Sequence, residues 1–396
     1  MLDITKGVYR KYFLIGGLYF TVGLNDIICV LILPLYFLEQ GIHPELITLV
    51  IGITIIPMVI KFVWGGISDY FIRFGRKPFI IFGGLIDVFS LIVLAFINPN
   101  IFLLPFAIFL FVSWCGIGFL SASLDALAIS ISVEGERGKI NGAKGAGMNI
   151  GLVIGALLLP FVVQNFDYSM LFLIVGFLLL PIILFPLIIK EVKIVEKQQK
   201  VRVLLIQEFK KRTTLLMAIF AVFVTMSSGV ILLITPIWMN MGLNLDITQV
   251  GFITMLFTIA MVFGSLIGGV VADRFDRKDS LYILIFVSIL FSILLIFTDT
   301  WLNFAIVYSI IGFLQGCYFT SFSAMFMDVT NPRIGATQFS IFNGLANLGF
   351  MSTSIISGFL YVTLGISLLF LCSACVFVPS LVLLYFIKLE KKNSGK

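Results

Sequence analysis

The chain is built from long apolar runs separated by short polar breaks. A helical run of about 20 apolar residues crosses the roughly 30 Å hydrocarbon core of a bilayer. The chain is 60% hydrophobic and 12% charged, more apolar than a soluble globule of this length can hide. The sequence therefore predicts an all-α integral membrane protein with twelve transmembrane helices. By their polar borders the runs lie at roughly residues 12–38, 44–64, 78–97, 101–132, 139–163, 168–189, 213–238, 246–271, 281–298, 302–328, 334–359 and 364–387.

Basic residues mark one end of these runs. Of the 26 lysines and arginines, all except Lys61 fall near the two termini, in the central polar stretch, or around the breaks after the second, fourth, eighth and tenth runs. The other breaks carry acids and the single histidine, His43. Lys and Arg are retained in cytoplasmic loops, so we expect a multi-pass protein of the cell membrane with both termini in the cytoplasm. The net charge of +6 reflects this topology, and no nucleic-acid partner is expected.

The runs form two related halves. The stretch 190–212, KEVKIVEKQQKVRVLLIQEFKKR, is the longest polar segment and has six runs on each side. We expect a six-helix bundle over residues 1–189, a cytoplasmic linker over 190–212 and a second six-helix bundle over 213–396. GGISDYFIRFGRK follows the second run and GGVVADRFDRK the eighth, while Asn149-Ile150-Gly151 corresponds to Asn347-Leu348-Gly349. Such internal symmetry is typical of transporters with a substrate site between two bundles.

These motifs resemble the loop motif of the major facilitator superfamily. The first copy has three additional residues between Asp69 and Gly75, and the second has Asp276 in place of a glycine. Together with LDALAI, GERGKING and TNPRIGATQFSIFNGLANLG, the pattern is similar to the branch that contains muropeptide permeases and acetyl-CoA transporters. The resemblance implies two six-helix bundles related by pseudo-two-fold symmetry, and it suggests muropeptide-like or acyl-CoA-like solutes.

Three acids lie deep in the runs: Asp26, Asp87 and Asp125. An intramembrane carboxylate faces a cavity, pairs or stays protonated. Asp26, beside Asn25 and near mid-membrane, is predicted to contact substrate or carry a proton, or alternatively to pair with a neighbouring helix. Asp125 has the same two interpretations. Asp87 either carries a proton or anchors helix packing through Lys61 or Lys144.

Cations and amides complete the predicted site. Lys61, one turn from the cytoplasmic end, is interpreted as a lysine that extends to the interface. Lys144, among glycines of the fifth run, either meets an anionic substrate or extends likewise. In the second half the amide side chains either contact substrate or bridge helices; these residues are Gln315, Gln338, Asn343 and Asn347. The predicted substrate- and proton-binding residues are Asn25, Asp26, Asp125, Lys144, Asn149, Gln315, Asn343 and Asn347.

The repeated loop motif is predicted to act as a gate rather than a binding site. Asp69 lies at the C-terminal end of its helix, where a negative charge is unfavourable for the helix dipole, so we expect it to be stabilised from the facing bundle. Such a contact exists only while the cytoplasmic faces are together, and therefore latches the outward-open state. The predicted cytoplasmic gate comprises Asp69, Arg76, Lys77, Arg137, Asp273, Arg277, Lys278 and Arg333.

The sequence favours transport over catalysis. Its five cysteines lie in apolar runs and it has one histidine, so no metal or haem ligand set is recognisable. No phosphate-binding loop is present. We therefore expect no enzyme, cofactor or metal, but a monomeric secondary transporter that moves a small solute by alternating access, with proton-coupled import. An efflux antiporter, a facilitator and a non-transporting receptor of the same fold stay open.

Overall fold

The computed structural model describes residues 8–131, 137–188, 201–274, 276–331 and 334–387. Regular structure in these ranges consists of helices alone. The α-helices are α1 (Val8–Ile27), α2 (Leu33–Glu39), α3 (Pro44–Thr54), α4 (Ile56–Val59), α5 (Lys61–Tyr70), α6 (Lys77–Leu94), α7 (Leu103–Ile131), α8 (Arg137–Asn165), α9 (Tyr168–Leu184), α10 (Val201–Phe209), α11 (Arg212–Met241), α12 (Ile247–Arg274), α13 (Arg277–Leu294), α14 (Trp301–Val329), α15 (Gly335–Cys375) and α16 (Val378–Phe386).

The twelve predicted spans are confirmed. Within the described residues, eleven helical segments are long and apolar enough to cross a membrane, and the last runs for 50 residues from Thr337 to Phe386. That segment is interrupted at Gly365, where φ is 76° and ψ is 170°. A residue with a side chain is strained at positive φ, so glycine permits this break. The last segment thereby supplies the eleventh and twelfth spans.

Two of the spans in the first half are locally distorted. The first span continues from α1 into α2 through a π-helical turn, Ile28–Ile32, which begins two residues after Asp26. The second span is divided into α3, α4 and α5. Pro57 lies at this division, and proline has no N–H to give to a helical hydrogen bond. The division makes Lys61 the first residue of α5.

Glycines bring pairs of helices into close contact in corresponding places of the two halves. A Cβ atom on Gly151 of α8 would lie 2.5 Å from the carbonyl oxygen of Phe20 on α1. A Cβ atom on the corresponding Gly349 of α15 would lie 2.0 Å from the carbonyl oxygen of Val222 on α11. Small residues of this kind allow helix backbones to approach in a membrane. The first and fifth spans and the seventh and eleventh spans are therefore packed in the same way.

The chain forms two compact units. The first comprises Met1–Glu196, Leu232–Thr258 and Ser354–Thr363, and the second comprises Lys197–Ile231, Ile259–Thr353 and Leu364–Lys396. The first unit thus includes stretches of α11, α12 and α15 beside the first six spans. The division into bundles of residues 1–189 and 213–396 stays a prediction. Of the predicted linker 190–212, the described part contains α10 and the start of α11.

Polar contacts join these added stretches to the rest of the first unit. The Gly358 backbone N–H donates to Thr48 Oγ1 at 3.0 Å, which fixes α15 against α3. Thr248 Oγ1 lies 2.7 Å from Gln164 Oε1, which joins α12 to the end of α8. The second unit has its own apolar core, in which Phe220, Phe322, Phe326 and Phe342 are buried.

Candidate functional site

Asp125 is the centre of a charged cluster in the first unit, supplied by four helices. Asp125 lies on α7. Lys61 Nζ, at the start of α5, is 2.7 Å from Asp125 Oδ2, and Lys144 Nζ on α8 is 2.8 Å from Oδ1. The hydroxyl of Tyr19 on α1 also donates to Oδ1. Lys144 Nζ lies 4.6 Å from the centroid of the Tyr19 ring, a cation–π contact. One carboxylate thus connects α1, α5, α7 and α8.

The cluster is partly open to its surroundings. The side chains of Lys61, Asp125 and Lys144 are 15%, 27% and 30% exposed. Charges at this depth are tolerated where they pair or face a cavity, and these residues pair. Two ammonium groups share one carboxylate, so the three side chains carry one surplus positive charge. This combination of partial exposure and surplus charge is typical of a binding site.

The structure corrects the interpretation of Lys61. The sequence placed it near the end of a continuous helix, from which a lysine extends to the membrane interface. In the structure the second span is broken just before Lys61, and the side chain pairs with Asp125 instead. Lys61 is therefore part of the site that the sequence assigned to Asp125 and Lys144.

Asp87 lies in a separate and fully satisfied network. It is 0% exposed. Ser113 Oγ donates to Asp87 Oδ1 at 2.5 Å, and Asn25 Nδ2 donates to Asp87 Oδ2 at 3.1 Å. Asn25 Nδ2 also donates to the Thr21 carbonyl at 3.0 Å. Asp87 thus joins α1, α6 and α7, as expected of a packing anchor, but its partners are neutral, so the predicted pairing with Lys61 or Lys144 is wrong.

Asp26 differs from the other two deep acids. Its side chain is half-buried, on α1 just before the π-helical turn. Among the described residues it makes no hydrogen bond or ion pair, although it interacts electrostatically with Lys61. The neighbouring Asn25 is buried and has both amide hydrogens engaged, so only its oxygen is left for a substrate contact. π-Helical turns are frequent at functional sites.

The remaining predicted binding residues are distributed over both units. Asn149 of α8 is half-buried in the first unit. In the second unit Gln315 of α14 is buried, whereas Asn343 and Asn347 of α15 are half-buried. The described residues of the second unit also include a polar pair that the sequence did not single out. Ser228 Oγ and Tyr318 Oη are 3.0 Å apart in a buried position that joins α11 to α14.

Parts of the predicted gate are described. Arg76 is buried, and its Nη1 donates to Ser68 Oγ at 2.9 Å. Arg277 pairs with Asp328 and donates to the Ala324 carbonyl at 3.0 Å. Lys278 Nζ donates to the carbonyls of Tyr385 and Ile387 at the end of α16. Lys77 begins α6. Arg333 and the side chains of Asp69, Arg137 and Asp273 lie outside the described residues.

A second polar contact joins α10 to the end of the tenth span. The Glu208 carboxylate accepts from Asn331 Nδ2 at 2.7 Å and pairs with Lys211 at 2.7 Å. Burial alone would raise the pKa of Glu208, but the hydrogen bonds from Lys211 and Asn331 and the Lys211 charge outweigh it and lower the pKa below its ordinary value. No sequence pattern signals this contact, whose partners are 123 positions apart.

Metal-ligating side chains do not gather in the described part of the chain. No group of three or more His, Cys, Asp or Glu side chains there is arranged to hold a metal ion. Cys29 and Cys317 are buried, and the five cysteines are free thiols.

Two curated proteins are similar in sequence. The chain is 25% identical to "Putative transporter AmpG 2" of Rickettsia prowazekii (strain Madrid E) over 351 residues, which cover 83% of this chain and 84% of that protein. It is 27% identical to "Probable folate-biopterin transporter 7" of Arabidopsis thaliana over 154 residues. The second match covers 37% of this chain and 35% of the relative, so the chain spans about a third of that protein.

Solved structures share the fold over nearly the whole chain. A D-xylose–proton symporter superposes with a TM-score of 0.76 at 14% identity, covering 98% of this chain and all of that one. A bacterial homologue of the human lysosomal transporter Spinster, inward-facing and occupied, gives a TM-score of 0.77 at 14% identity, covering 96% and 97%. The sequence itself matches the Major Facilitator Superfamily over residues 15–240 and again over residues 216–396. With its twelve helical spans, the chain belongs to the Major Facilitator Superfamily and is a multi-pass membrane transporter of a small solute.

Proposed function

We propose that this transporter imports its solute together with protons, and that Asp26 carries the proton. The cell membrane is its location, with both termini in the cytoplasm, and it works as a monomer. The two bundles, residues 1–189 and 213–396, are joined by the linker 190–212. They rock against each other and so open the site alternately to the two sides of the membrane. The predicted gate around Asp69 closes the cytoplasmic side in the outward-open state.

One observation carries the assignment of the proton to Asp26. Asp87 is fully buried with two neutral donors, and Asp125 is held by two lysines and a tyrosine. Asp26 alone among these three acids has no hydrogen bond from the described residues, yet it is half-buried at membrane depth. A carboxyl group without donors in a poorly solvated place gains most from binding a proton. Its protonation also costs no existing hydrogen bond.

The charges around Asp26 give the proton a consequence. Lys61 interacts electrostatically with both Asp26 and Asp125. With Asp26 ionised, the two carboxylates balance Lys61 and Lys144, and the four groups sum to zero. When Asp26 binds a proton, one positive charge is left over. Protonation therefore changes the net charge of the site beside which the solute binds, which is the differential interaction that coupling requires.

The remaining polar residues are proposed to contact the solute. Asn149 in the first unit and Gln315, Asn343 and Asn347 in the second have amide groups that donate and accept hydrogen bonds. The likeness to the D-xylose–proton symporter is a likeness of fold, so the proposal of proton coupling rests on Asp26 and its surroundings.

The test is uptake by the purified protein in liposomes. A thermal-shift screen of metabolites supplies a stabilising solute. Its accumulation is then measured under an inward-directed proton gradient, with a trapped pH dye that reports proton entry. We expect Asp26→Asn to lose proton-driven accumulation at least tenfold, in line with the loss of one protonation site, while exchange of labelled for unlabelled solute continues.

Asp87→Asn is the matched control, because Asp87 is the other deep acid outside the charged cluster. Per folded molecule it is expected to keep proton-driven accumulation. Wild-type accumulation by Asp26→Asn contradicts the assignment of the proton to Asp26. A wild-type protein that only equilibrates its solute is a facilitator. One that expels the solute in exchange for entering protons is an antiporter. Either result overturns the proposed import.

A further inference from the structure

The charged cluster has more donors than its own acceptor can use. Each ammonium group has three N–H donors. Within the described residues, Lys61 Nζ hydrogen-bonds to Asp125 Oδ2, and Lys144 Nζ to Oδ1. Lys144 also covers the ring of Tyr19. Further donors of both lysines therefore remain for a partner from outside the chain.

The geometry converges on a single acceptor position. Because Lys61 and Lys144 lie 2.7 Å and 2.8 Å from opposite oxygens of one carboxylate, they hold the planar group from two sides. Tyr19 adds a third donor to the same group. An anion that approaches this carboxylate meets the unused N–H donors of Lys61 and Lys144. Lys144 and Asp125 are also exposed enough for such an anion to approach, at 30% and 27%.

The chain offers a limited supply of other counter-charges. The titratable groups around the two lysines are Tyr19 and Asp26 on α1, with Cys29 next to Asp26, and Asp125 on α7. Asp87 on α6 is engaged by Asn25 and Ser113. If Asp26 carries the proton, as the proposed function holds, Asp125 is the one internal anion among these that balances two ammonium groups. An unbalanced charge at membrane depth is energetically unfavourable.

We infer that Lys61 and Lys144 bind an anionic oxygen group of the transported solute, either a carboxylate or a phosphate. Asp125 holds the two lysines in place when the solute is absent and shares them with its anionic group when the solute is present. The solute anion supplies the negative charge that protonation of Asp26 removes. The solute class is therefore a small organic anion, and this inference rests on the proposed transport function.

Chemical rescue of an Asp125→Ala variant tests the site without transport. Removal of the carboxylate leaves space and two unbalanced lysines, so the purified variant is expected to unfold at a lower temperature than the wild type. Sodium acetate and sodium phosphate at neutral pH are then compared with sodium chloride at equal ionic strength. We expect acetate or phosphate to raise the midpoint of the variant by about 3–5 °C, and that of the wild type by much less.

Acetate replaces the lost carboxylate directly, whereas phosphate tests whether the two lysines also accept a tetrahedral anion. The control is the triple variant Lys61→Met, Asp125→Ala, Lys144→Met, which has the same space but lacks the charges. It is expected to show only the general effect of each salt on protein stability, so the specific rescue is the excess shift of Asp125→Ala over the triple variant in the same salt. Rescue by chloride equal to that by acetate and phosphate contradicts the inference, and so does equal rescue of the triple variant.

A second measurement applies if the Asp125→Ala variant does not fold. The wild type is titrated with glucose, glucuronate and glucose 6-phosphate, which share one frame and differ in charge. A thermal shift with an anionic sugar but not with glucose, lost in Lys144→Met, supports the site. Equal shifts with all three, or no shift with any, overturns it. These assays need no proton gradient, so they separate the two proposals. Absence of anion binding with intact proton-driven uptake rejects the anion site alone. Anion binding without proton-driven uptake rejects the proposed function alone.

Discussion

Lys61 Nζ lies 2.7 Å from Asp125 Oδ2, although the two residues are 64 positions apart in the chain. The pair fixes the start of α5 against α7 at a place where the second span is interrupted. Lys144 approaches the other oxygen of the same carboxylate from α8. With the Tyr19 hydroxyl of α1 as a further donor, Asp125 therefore holds four helices together, and its substitution affects more than one contact.

Lys61→Met is expected to lower stability through the loss of this ion pair. The side chains are 15% and 27% exposed, so the energy lies between that of an exposed pair and that of a buried one. A double-mutant cycle with Asp125→Asn should give a coupling of about 1–2 kcal/mol. Lys211→Met is the matched control, because Lys211 is 62% exposed in its pair with Glu208. Equal effects of the two lysine variants on the unfolding midpoint would count against a structural role of the Lys61 pair.

Asp87→Ala should destabilise the protein more than Asp26→Ala. The first leaves the buried donors of Ser113 and Asn25 without their acceptor, at a cost of about 2–4 kcal/mol. The second removes a half-buried side chain that accepts no hydrogen bond from the described residues, so a change within about 1 kcal/mol is expected. Chemical unfolding of both variants in the same detergent measures the difference. A larger loss for Asp26→Ala refutes the distinction between the two acids.

Gly147→Ala should disrupt the packing of α8 on α1. The new Cβ would lie 2.0 Å from the Gly16 carbonyl oxygen, so the helices must separate. Gly145→Ala on the same helix is the control, because its Cβ meets no atom within 4 Å. In a helix interior alanine is favoured over glycine by about 1 kcal/mol, so Gly145→Ala should be neutral or stabilising. Thermal midpoints that shift alike in the two variants would rule out the close contact.

Glu208 should make stability depend on acid pH. Burial raises the pKa of Glu208, but the hydrogen bonds from Lys211 and Asn331 and the Lys211 charge have the larger effect. The pKa of Glu208 is therefore below its ordinary value of 4.5. A carboxyl group whose pKa is depressed by folding stabilises the folded state above its unfolded pKa, and this contribution disappears as pH falls through the folded pKa. Glu208→Gln should therefore be less stable than the wild type at pH 7, with the gap closing below pH 4.5. The unfolding midpoint across pH 3–7 measures it, and a gap that stays constant argues against the contact.

Much of the architecture followed from patterns that repeat along the chain. Apolar length gave twelve spans, since a helix must cover the hydrocarbon thickness wherever it occurs. The break between the eleventh and twelfth spans is predicted at residues 360–363, and the helix is interrupted close by at Gly365, where a positive φ favours glycine. The paired glycines of α8 and α15 also correspond to the repeat around Asn149 and Asn347. These features are local, so the sequence alone was sufficient for them.

The partners of the charged residues could not be obtained in the same way. The cost of charges inside spans indicates Asp125 and Lys144 as functional candidates, but it does not say which charges meet. The pairing of Lys61 is not predictable from sequence, because it depends on the interruption of the second span near Pro57 and on the placement of α7. Asp87 was given a charged partner, whereas Ser113 and Asn25 satisfy it. Both depend on tertiary packing, which has no periodic signal.

The π-helical turn Ile28–Ile32 has a consequence for how the first span can change in evolution. Such a turn inserts one residue into the helical repeat, which offsets the faces before and after it by roughly 100°. Asp26 precedes the turn and the Leu33–Glu39 segment follows it. A single-residue deletion within the turn would convert it to an ordinary α-helix and rotate one face against the other. One codon therefore determines which residues of the second part of the span share a face with Asp26.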